Sequence, residues 1–229
     1  MIEKIMIDID DTVLDFHLSE SIALKKTLAS LGLSATDEIV ATYSAINDSQ
    51  WKALERGEIE RSVLLYRRFD ILFERLGVEI SGHEAQKRYE KALGGESHYL
   101  PGAEDMLKEL STKFELYAAS NGTSVVQRPR IASAGLDRYF KEIFISEEIG
   151  YNKPAREFFD ICLERMGSPS RASVMILGDS LTSDVLGGIN AGIRTCHFAP
   201  KGNTAYSAVV PEFSVKTHAE FVELLGNIE

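Results

Sequence analysis

The sequence predicts an α/β protein built on a doubly wound parallel sheet, with a smaller all-helical domain inserted into it. Short apolar runs alternate with helix-length segments over most of the second half of the chain. That alternation is absent from about residue 16 to residue 93, where one helical pattern follows another. The chain has 229 residues, of which 44% are hydrophobic and 26% charged, so it can bury a core and a smaller second domain.

Five apolar runs, most of them rich in β-branched residues, have the length and composition of buried strands. They are Ile5 to Ile9, Phe114 to Ala119, Ile143 to Ile145, Val174 to Leu177 and, more weakly, Arg194 to Phe198. The segments between the later runs have apolar residues three and four apart, which is typical of amphipathic helices. They are Ala103 to Leu110, Val125 to Ala134, Glu157 to Met166 and Asp184 to Ala191. This alternation implies parallel β-α-β units with right-handed crossovers.

Two residues support the boundaries of the predicted helix from Val125 to Ala134. Pro129 is expected near its start, where a missing N–H is tolerated, and Gly135 stands where a C-cap is expected.

The segment from residue 16 to residue 95 is predicted to form a helical cap domain, and residues 1–15 and 96–229 the α/β core domain. Four apolar stripes carry this prediction, and Gly32 and Gly77 close the first and third. The stripes are Leu24, Leu28 and Leu31; Ile39, Tyr43 and Ile46; Leu64, Leu65, Phe69, Leu72, Phe73 and Leu76; and Ala85, Tyr89 and Leu93.

The charge balance limits the kinds of partner that the protein can have. There are 25 basic and 35 acidic residues, a formal charge of -10, which argues against nucleic acid polymers and anionic membranes. A small phosphorylated molecule remains compatible with this charge if a divalent cation is bound. Cys162 and Cys196 lack metal-site spacing and are predicted to be buried free thiols. The apolar run before Asp8 is too short for a signal peptide, so a cytoplasmic protein is expected.

Acidic residues follow the first predicted strand. In an open α/β sheet, ligands bind beyond the carboxyl ends of the strands, and strand alternation points Asp8 and Asp10 the same way. Two carboxylates so placed repel each other unless a cation or a shared proton intervenes. The alternative is that these acids only terminate the strand and cap the segment after it.

The other strand ends contribute further polar groups. Ser120, Asn121 and Gly122 follow the second strand, Lys153 follows the third, and Asp179 and Asp184 follow the fourth. Each has an ordinary interpretation alone, as a turn former, a solvated lysine or an acid near a helix start. Together they suggest an oxygen-rich magnesium site beside a carboxylate that can act as a nucleophile.

The order Asp8-x-Asp10-x-Thr12, Ser120, Lys153, Gly178-Asp179-xxxx-Asp184 resembles the haloacid dehalogenase superfamily, and the helical insertion resembles the cap of its subfamily I. The resemblance implies that Asp8 is the nucleophile and a magnesium ligand. Asp10 would be the general acid and base, with its main-chain carbonyl also on the metal. Ser120 would bind a phosphoryl oxygen.

The same resemblance assigns roles to the remaining positions. Lys153 would balance the charge of Asp8 and of the transferring group, and Asp179 would complete the metal shell. Asp184 would orient Lys153 or a metal-bound water, with Asn121 in a supporting role. Thr12 is interpreted as a local structural residue.

The acid at Asp10 favours phosphatases, because the dehalogenases and phosphonatases of this superfamily lack it. A closer resemblance is to the pyrimidine 5'-nucleotidases, carried by residues 145–150 and 187–192 and by Ile46, Asn47 and Trp51. Candidate substrate contacts are Phe16, Trp51, Asn121 and Gly122. Trp51 could stack on a base or fill the core of the cap, and the core interpretation is slightly favoured. His17 is interpreted as an ordinary polar residue.

The leading hypothesis is therefore a Mg²⁺-dependent phosphomonoester hydrolase that forms a phosphoaspartate and acts on pyrimidine nucleoside monophosphates. The alternatives are a phosphatase or phosphomutase for sugar phosphates or other small metabolites, and a non-catalytic binding module. The expected partner is a small molecule, and the chain is expected to be a monomer or a homodimer.

Overall fold

The computed structural model describes residues 1–202 and 208–228, and within these ranges six strands form one sheet. The strands are β1 (Lys4–Ile7), β2 (Glu115–Ser120), β3 (Glu142–Ile145), β4 (Val174–Gly178), β5 (Arg194–Phe198) and β6 (Phe213–Val215). Their order is β3-β2-β1-β4-β5-β6, and every neighbouring pair is parallel. The predicted doubly wound α/β class is confirmed.

The helices of the described ranges divide into a group that interrupts the sheet and a group that covers it. The first group is α1 (Phe16–Ser30), α2 (Asp37–Glu55), α3 (Arg61–Leu76) and α4 (Gly82–Leu93), here called the helical insertion. The second group is α5 (Ala103–Leu110), α6 (Ser124–Ala134), α7 (Ser146–Ile149), α8 (Arg156–Arg165), α9 (Leu186–Ala191) and α10 (His218–Asn227). None of these described helices combines the length and the apolar character needed to cross a membrane.

Both faces of the sheet are buried, as a parallel sheet requires. Along β1, Ile5 and Ile7 belong to the apolar cluster on one face, and Met6 belongs to the cluster on the other. Ile7 pairs with Ala118 of β2 and with Leu177 of β4. This register brings the ends of the three central strands to the same edge of the sheet.

The helical insertion has an apolar core of its own. Its buried residues come from all four helices and include Leu24, Tyr43, Phe69 and Tyr89. Val126 of α6 belongs to the same cluster, so the insertion packs directly against the first turn of a helix that follows β2.

Some local features differ from the sequence prediction. Neither β6 nor α10 is predicted. For β6 the reason is that it is a three-residue edge strand with an exposed serine in its middle. Since α6 begins at Ser124, Pro129 lies in its second turn rather than near its start, which leaves a helical carbonyl without its usual donor. Gly135 is the left-handed C-cap of α6, as predicted, and both cysteines are buried free thiols.

Candidate active site

Lys153 and Asp8 form the floor of the site at the carboxyl edge of the sheet. Asp8 directly follows β1, and its N–H donates to the carbonyl of Leu177. The Nζ of Lys153 donates to Oδ1 of Asp8, to Oδ1 of Asp184 and to the carbonyl of Ala119, each at 2.6 Å. The Lys153 side chain is 1% exposed. All three of its donors are therefore engaged, which fixes the ammonium group between two carboxylates.

Asn121 holds the main chain of Lys153. Its Oδ1 accepts from the Lys153 N–H at 2.8 Å, and its Nδ2 donates to the Lys153 carbonyl at 2.9 Å. Both polar ends of the amide are thus bound to the loop that carries the lysine. This contact joins the ends of β2 and β3 and supports the placement of the ammonium group.

Three carboxylates gather beside the lysine. Oxygens of Asp8, Asp179 and Asp184 lie within 4.8 Å of one another. Asp184 also accepts from the Ser180 N–H at 3.1 Å, which closes the loop after β4. A Cβ on Gly178 would lie 2.2 Å from the Asp184 carboxyl carbon, so only glycine lets this acid approach the strand.

The electrostatics of this cluster favour a bound cation. Burial raises the pKa of Asp8 to about 8, against the opposing effect of the neighbouring Lys153. Burial and then the carboxylates of Asp8 and Asp184 raise the pKa of Asp179 well above its ordinary value. The three carboxylates lie beside a single ammonium group, which pairs with only Asp8 and Asp184, so the cluster lacks positive charge. A divalent cation with a preference for carboxylate oxygens would supply it, and the donor set suits Mg²⁺.

Thr12 ties the loop after β1 to the loop after β4, in keeping with its interpretation as a local structural residue. Its hydroxyl accepts from the Asp179 N–H at 3.0 Å. His218 Nε2 lies 2.7 Å from the Thr12 carbonyl, and His197 Nε2 lies 2.8 Å from the Asp179 carbonyl. These two histidines, which have no ligand spacing in the sequence, contact the main chain of the loops that present the acids.

The carboxylate of Asp10 lies beside the acid cluster and is held by α6. Its Oδ1 accepts from Nη1 of Arg130, and its Oδ2 accepts from Nε2 of Gln127 at 2.6 Å. The Asp10 side chain is 27% exposed, whereas that of Arg130 is fully buried. The metal role expected for Asp10 concerns its main-chain carbonyl, which takes no part in these side-chain contacts.

Ser120 ends β2 and lies under the same helix. Its Oγ accepts from Gln127 Nε2 at 2.6 Å and from the Gly122 N–H at 3.1 Å. A Cβ on Gly122 would lie 2.6 Å from Cγ of Gln127. Glycine at this position therefore admits the side chain that contacts both Ser120 and Asp10.

These groups line a cavity of about 240 Å³ between the sheet edge and the helical insertion. The sheet side contributes Asp8, Asp10, Ser120, Lys153 and Asp179, and the insertion contributes Trp51, Glu55, Leu65, Arg68 and Gln86. Trp51 is half-buried on this wall and lies outside the buried cluster of the insertion, which corrects the slight preference for a core role. Phe16, Asn121 and Gly122 also line the cavity.

Polar contacts join the insertion to the sheet around this cavity. Arg61, the first residue of α3, donates from Nη2 to the carbonyl of Asn121 and to the side chains of Ser146 and Asn152. On the other side, Thr182 donates to Glu55 at 2.7 Å. The hydrogen bonds of Arg61 and the bond between Thr182 and Glu55 hold the insertion over the acids.

Several residues of the site do not follow a predicted strand, and the sequence analysis therefore does not identify them. Gln127 and Arg130 are three apart on α6, so they share one helix face, but sequence alone does not reveal which face points to the site. Glu55, Arg61 and Arg68 come from the insertion, where charged residues are usually solvated.

Comparison with known proteins gives a consistent set of matches. The family model for haloacid dehalogenase-like hydrolases matches residues 2–192. HAD-hydrolase YfnB from Bacillus subtilis is 34% identical over 225 residues, 98% of this chain and 95% of YfnB. The pyrimidine 5'-nucleotidase PynA from Streptococcus pneumoniae is 33% identical, covering 96% of this chain and 94% of PynA. The pyrimidine 5'-nucleotidase YjjG from Escherichia coli is 32% identical, covering 96% of each chain. A magnesium-bound crystal structure of YfnB superimposes with a TM-score of 0.94 at 32% identity, covering 98% of each chain.

Proposed function

This chain belongs to the haloacid dehalogenase-like hydrolase family, and we propose that it is a Mg²⁺-dependent phosphatase that forms a phosphoaspartate on Asp8. Pyrimidine nucleoside 5'-monophosphates are the proposed substrates. The observation that carries the proposal is the meeting of Asp8, Asp10, Ser120 and Lys153 on the wall of one cavity.

Asp8 is proposed as the nucleophile because one of its oxygens is fixed while the other is left for the substrate. Lys153 holds Oδ1 and stands between Asp8 and Asp184. In the first step an Asp8 oxygen forms a bond to phosphorus as the bond from phosphorus to the ester oxygen breaks. The buried ammonium group would offset the negative charge that gathers during this transfer.

Asp10 is proposed to move the protons of both steps. In the first step its carboxyl gives a proton to the departing ester oxygen. In the second step the Asp10 carboxylate takes a proton from water as the water oxygen attacks phosphorus and the bond to Asp8 breaks. The product is inorganic phosphate, and both aspartates return to their starting state.

Ser120 is proposed to donate a hydrogen bond to a phosphoryl oxygen. Its Oγ already accepts two N–H bonds, from Gln127 and from Gly122, which uses both of its lone pairs. The hydroxyl proton therefore remains available to donate. A phosphoryl oxygen in the cavity would be a suitable acceptor.

Asp8, Asp179 and the carbonyl of Asp10 are proposed to hold Mg²⁺, with Asp184 close enough to orient a ligand of the ion. When bound, Mg²⁺ would neutralise the acid cluster and polarise the phosphoryl group. The raised pKa values of Asp8 and Asp179 support this assignment, because both acids need a compensating charge in order to ionise.

The helical insertion is proposed to act as the cap of residues 16–95, over a core domain of residues 1–15 and 96–229. Its cavity wall carries Trp51, whose ring could stack on a base, and the polar side chains of Arg68 and Gln86. The relatives PynA and YjjG, named as pyrimidine 5'-nucleotidases, support nucleoside monophosphates as the substrate class.

The test is Asp8→Asn, assayed for phosphate release from a panel of nucleoside and sugar monophosphates with and without Mg²⁺. Folding of the variant is checked by its melting temperature. The proposal predicts loss of turnover in the variant and in metal-free wild type, with pyrimidine nucleotides preferred in wild type. Undiminished turnover by folded Asp8→Asn would refute the mechanism, and preference for sugar phosphates would refute the substrate assignment alone.

A further inference from the structure

We propose that Gln127 and Arg130 are a positioning pair that holds Asp10 for proton transfer to the leaving group and directs the hydroxyl of Ser120 towards the phosphate. The inference rests on the proposed phosphatase function and deepens it. Both residues lie on α6, three positions apart, and both are at most 1% exposed. Both also line the cavity.

The Gln127 amide can be oriented in only one way in this network. Its Nε2 donates to Asp10 and to Ser120, each at 2.6 Å, while its Oε1 accepts from Arg130 Nη1 at 2.9 Å. A reversed amide would set its oxygen against the Asp10 carboxylate and its NH₂ against the guanidinium. Gln127 is therefore a donor towards Ser120, and Ser120 must use its own proton elsewhere.

Arg130 is fixed in place from several sides. Its Nε donates to the carbonyl of Glu96 at 3.0 Å, and its guanidinium lies 5.8 Å from the centre of the Phe16 ring. Phe16 is the first residue of the helical insertion, and Glu96 lies where the chain returns to the sheet. Arg130 Nη1 then reaches both Asp10 and Gln127.

The remaining nitrogen of Arg130, Nη2, is buried and has no acceptor among residues 1–202 and 208–228. An arginine kept for packing alone would be expected to pair its buried donors. The unpaired nitrogen on a residue of the cavity wall is better explained by a role in the chemistry of the site.

These contacts leave Asp10 able to carry a proton. Each carboxylate oxygen has two lone-pair positions, and Arg130 and Gln127 occupy one on each oxygen. The bonds thus fix the carboxyl group without filling all its proton-accepting positions. Loss of either partner would leave Asp10 free to rotate away from the ester oxygen.

Leaving groups of different acidity separate this role from a purely structural one. A nucleoside leaves as a poorly acidic alcohol and needs a proton from Asp10 as the phosphorus–oxygen bond breaks. The phenol of p-nitrophenyl phosphate is acidic enough to leave without one. Because kcat/KM reports the steps up to departure of the leaving group, mispositioning of the acid should reduce it for the nucleotide far more than for the aryl ester.

The experiment measures kcat/KM for uridine 5'-monophosphate and for p-nitrophenyl phosphate in wild type, Arg130→Met, Arg130→Lys and Gln127→Met. General acid catalysis contributes about 10² to 10⁴ in rate, so Arg130→Met should lose about 100-fold or more on the nucleotide, and at least tenfold less on the aryl ester. Arg130→Lys should recover part of the loss. Gln127→Met should also lose more kcat/KM on the nucleotide than on the aryl ester. It should be inhibited more weakly by inorganic phosphate, because the Ser120 hydroxyl loses the Gln127 hydrogen bond that directs its proton towards phosphate.

Arg128→Met is the matched control. Arg128 lies on the same helix but is exposed and pairs with Glu148 at the surface. It should leave both kcat/KM values and phosphate inhibition unchanged. If Arg130→Met does not fold, Gln127→Met and Arg130→Lys carry the same comparison.

Equal losses on both esters in folded variants, or no loss at all, would overturn the inference while leaving the phosphatase proposal intact. If wild type prefers another alkyl phosphate, that ester takes the place of the nucleotide. A wild type that releases phosphate from neither kind of ester would instead refute the proposed function, and this inference with it.

Discussion

Replacing Lys153 by methionine should destabilise the protein strongly, because it removes the ammonium group that lies between two buried acids, Asp8 and Asp184. The ammonium group donates to Asp8, Asp184 and a main-chain carbonyl, each at 2.6 Å. Methionine can occupy similar space but can make none of these bonds. The carboxylates of Asp8 and Asp184 would then remain buried without the cation that pairs with them.

The size of the effect depends on how many of those acids are ionised. Removal of one partner from a buried ion pair costs about 3–5 kcal/mol. Burial already raises the pKa of Asp8 to about 8, so at pH 7 without metal much of Asp8 is protonated, which reduces the cost of losing its cation. We therefore expect a loss at the lower end of that range, about 3 kcal/mol in the free energy of unfolding. For a chain of this size, this loss corresponds to a fall of about 6–12 °C in melting temperature. The loss should be larger at pH 9, where Asp8 is ionised in wild type.

The measurement is urea and thermal unfolding of wild type and Lys153→Met in metal-free buffer at pH 7 and pH 9. Lys113→Met is the control, because Lys113 is exposed and, within residues 1–202 and 208–228, its side chain pairs with Glu109 alone, four positions earlier, a contact worth about 0.5 kcal/mol. Adding Asp184→Asn to Lys153→Met should restore part of the lost stability. A loss no larger than that of Lys113→Met would show that the lysine is not what compensates the acids.

Three further predictions concern packing, pH and metal. Gly122→Ala places a Cβ about 2.6 Å from Gln127 and should cost about 1–3 kcal/mol in urea unfolding; an unchanged midpoint would contradict the described contact. Burial raises the pKa of Glu20 above its ordinary value of 4.5, so ionisation of Glu20 opposes folding. The stability of wild type relative to Glu20→Gln should therefore fall as pH rises above about 4.5, whereas parallel stability curves would disprove this. Mg²⁺ at about 100 times its Kd should stabilise wild type by about 2.7 kcal/mol, seen as a higher melting temperature; an equal shift in Asp179→Asn would argue against that acid as a ligand.

The fold and the floor of the site could be predicted because both depend on local signals. Apolar runs ending in Asp8, Ser120 and Asp179 mark strands, and parallel strands necessarily bring their carboxyl ends to one edge. The family and the hydrolase class follow from the same residues, and the comparisons confirm them. Lys153 follows the third predicted strand, which places it at the same edge as these acids.

The walls of the site could not be predicted, because they depend on how helices rotate and pack. Whether Gln127 and Arg130 face Asp10 is decided by the orientation of α6, to which its apolar contacts with the helical insertion contribute. Trp51 likewise could face the core or the cavity, and the slight preference for the core is wrong because its orientation depends on how α2 packs. The strand β6 has too few residues for its alternation to be recognised.

The central claim is that phosphate passes through Asp8, and the most direct measurement is acid quenching of the enzyme during turnover with Mg²⁺ and substrate, followed by mass spectrometry of its peptides. Asp10→Asn, which lacks the base for the second step, is quenched in parallel with wild type and Asp8→Asn. The substrate is p-nitrophenyl phosphate, because its phenol leaves in the first step without the proton that Asp10 would donate. We expect a phosphoryl group on the peptide that contains Asp8, enriched in Asp10→Asn and absent from Asp8→Asn. Phosphate release with no covalent phosphopeptide, and with Asp8→Asn still active, would contradict this mechanism.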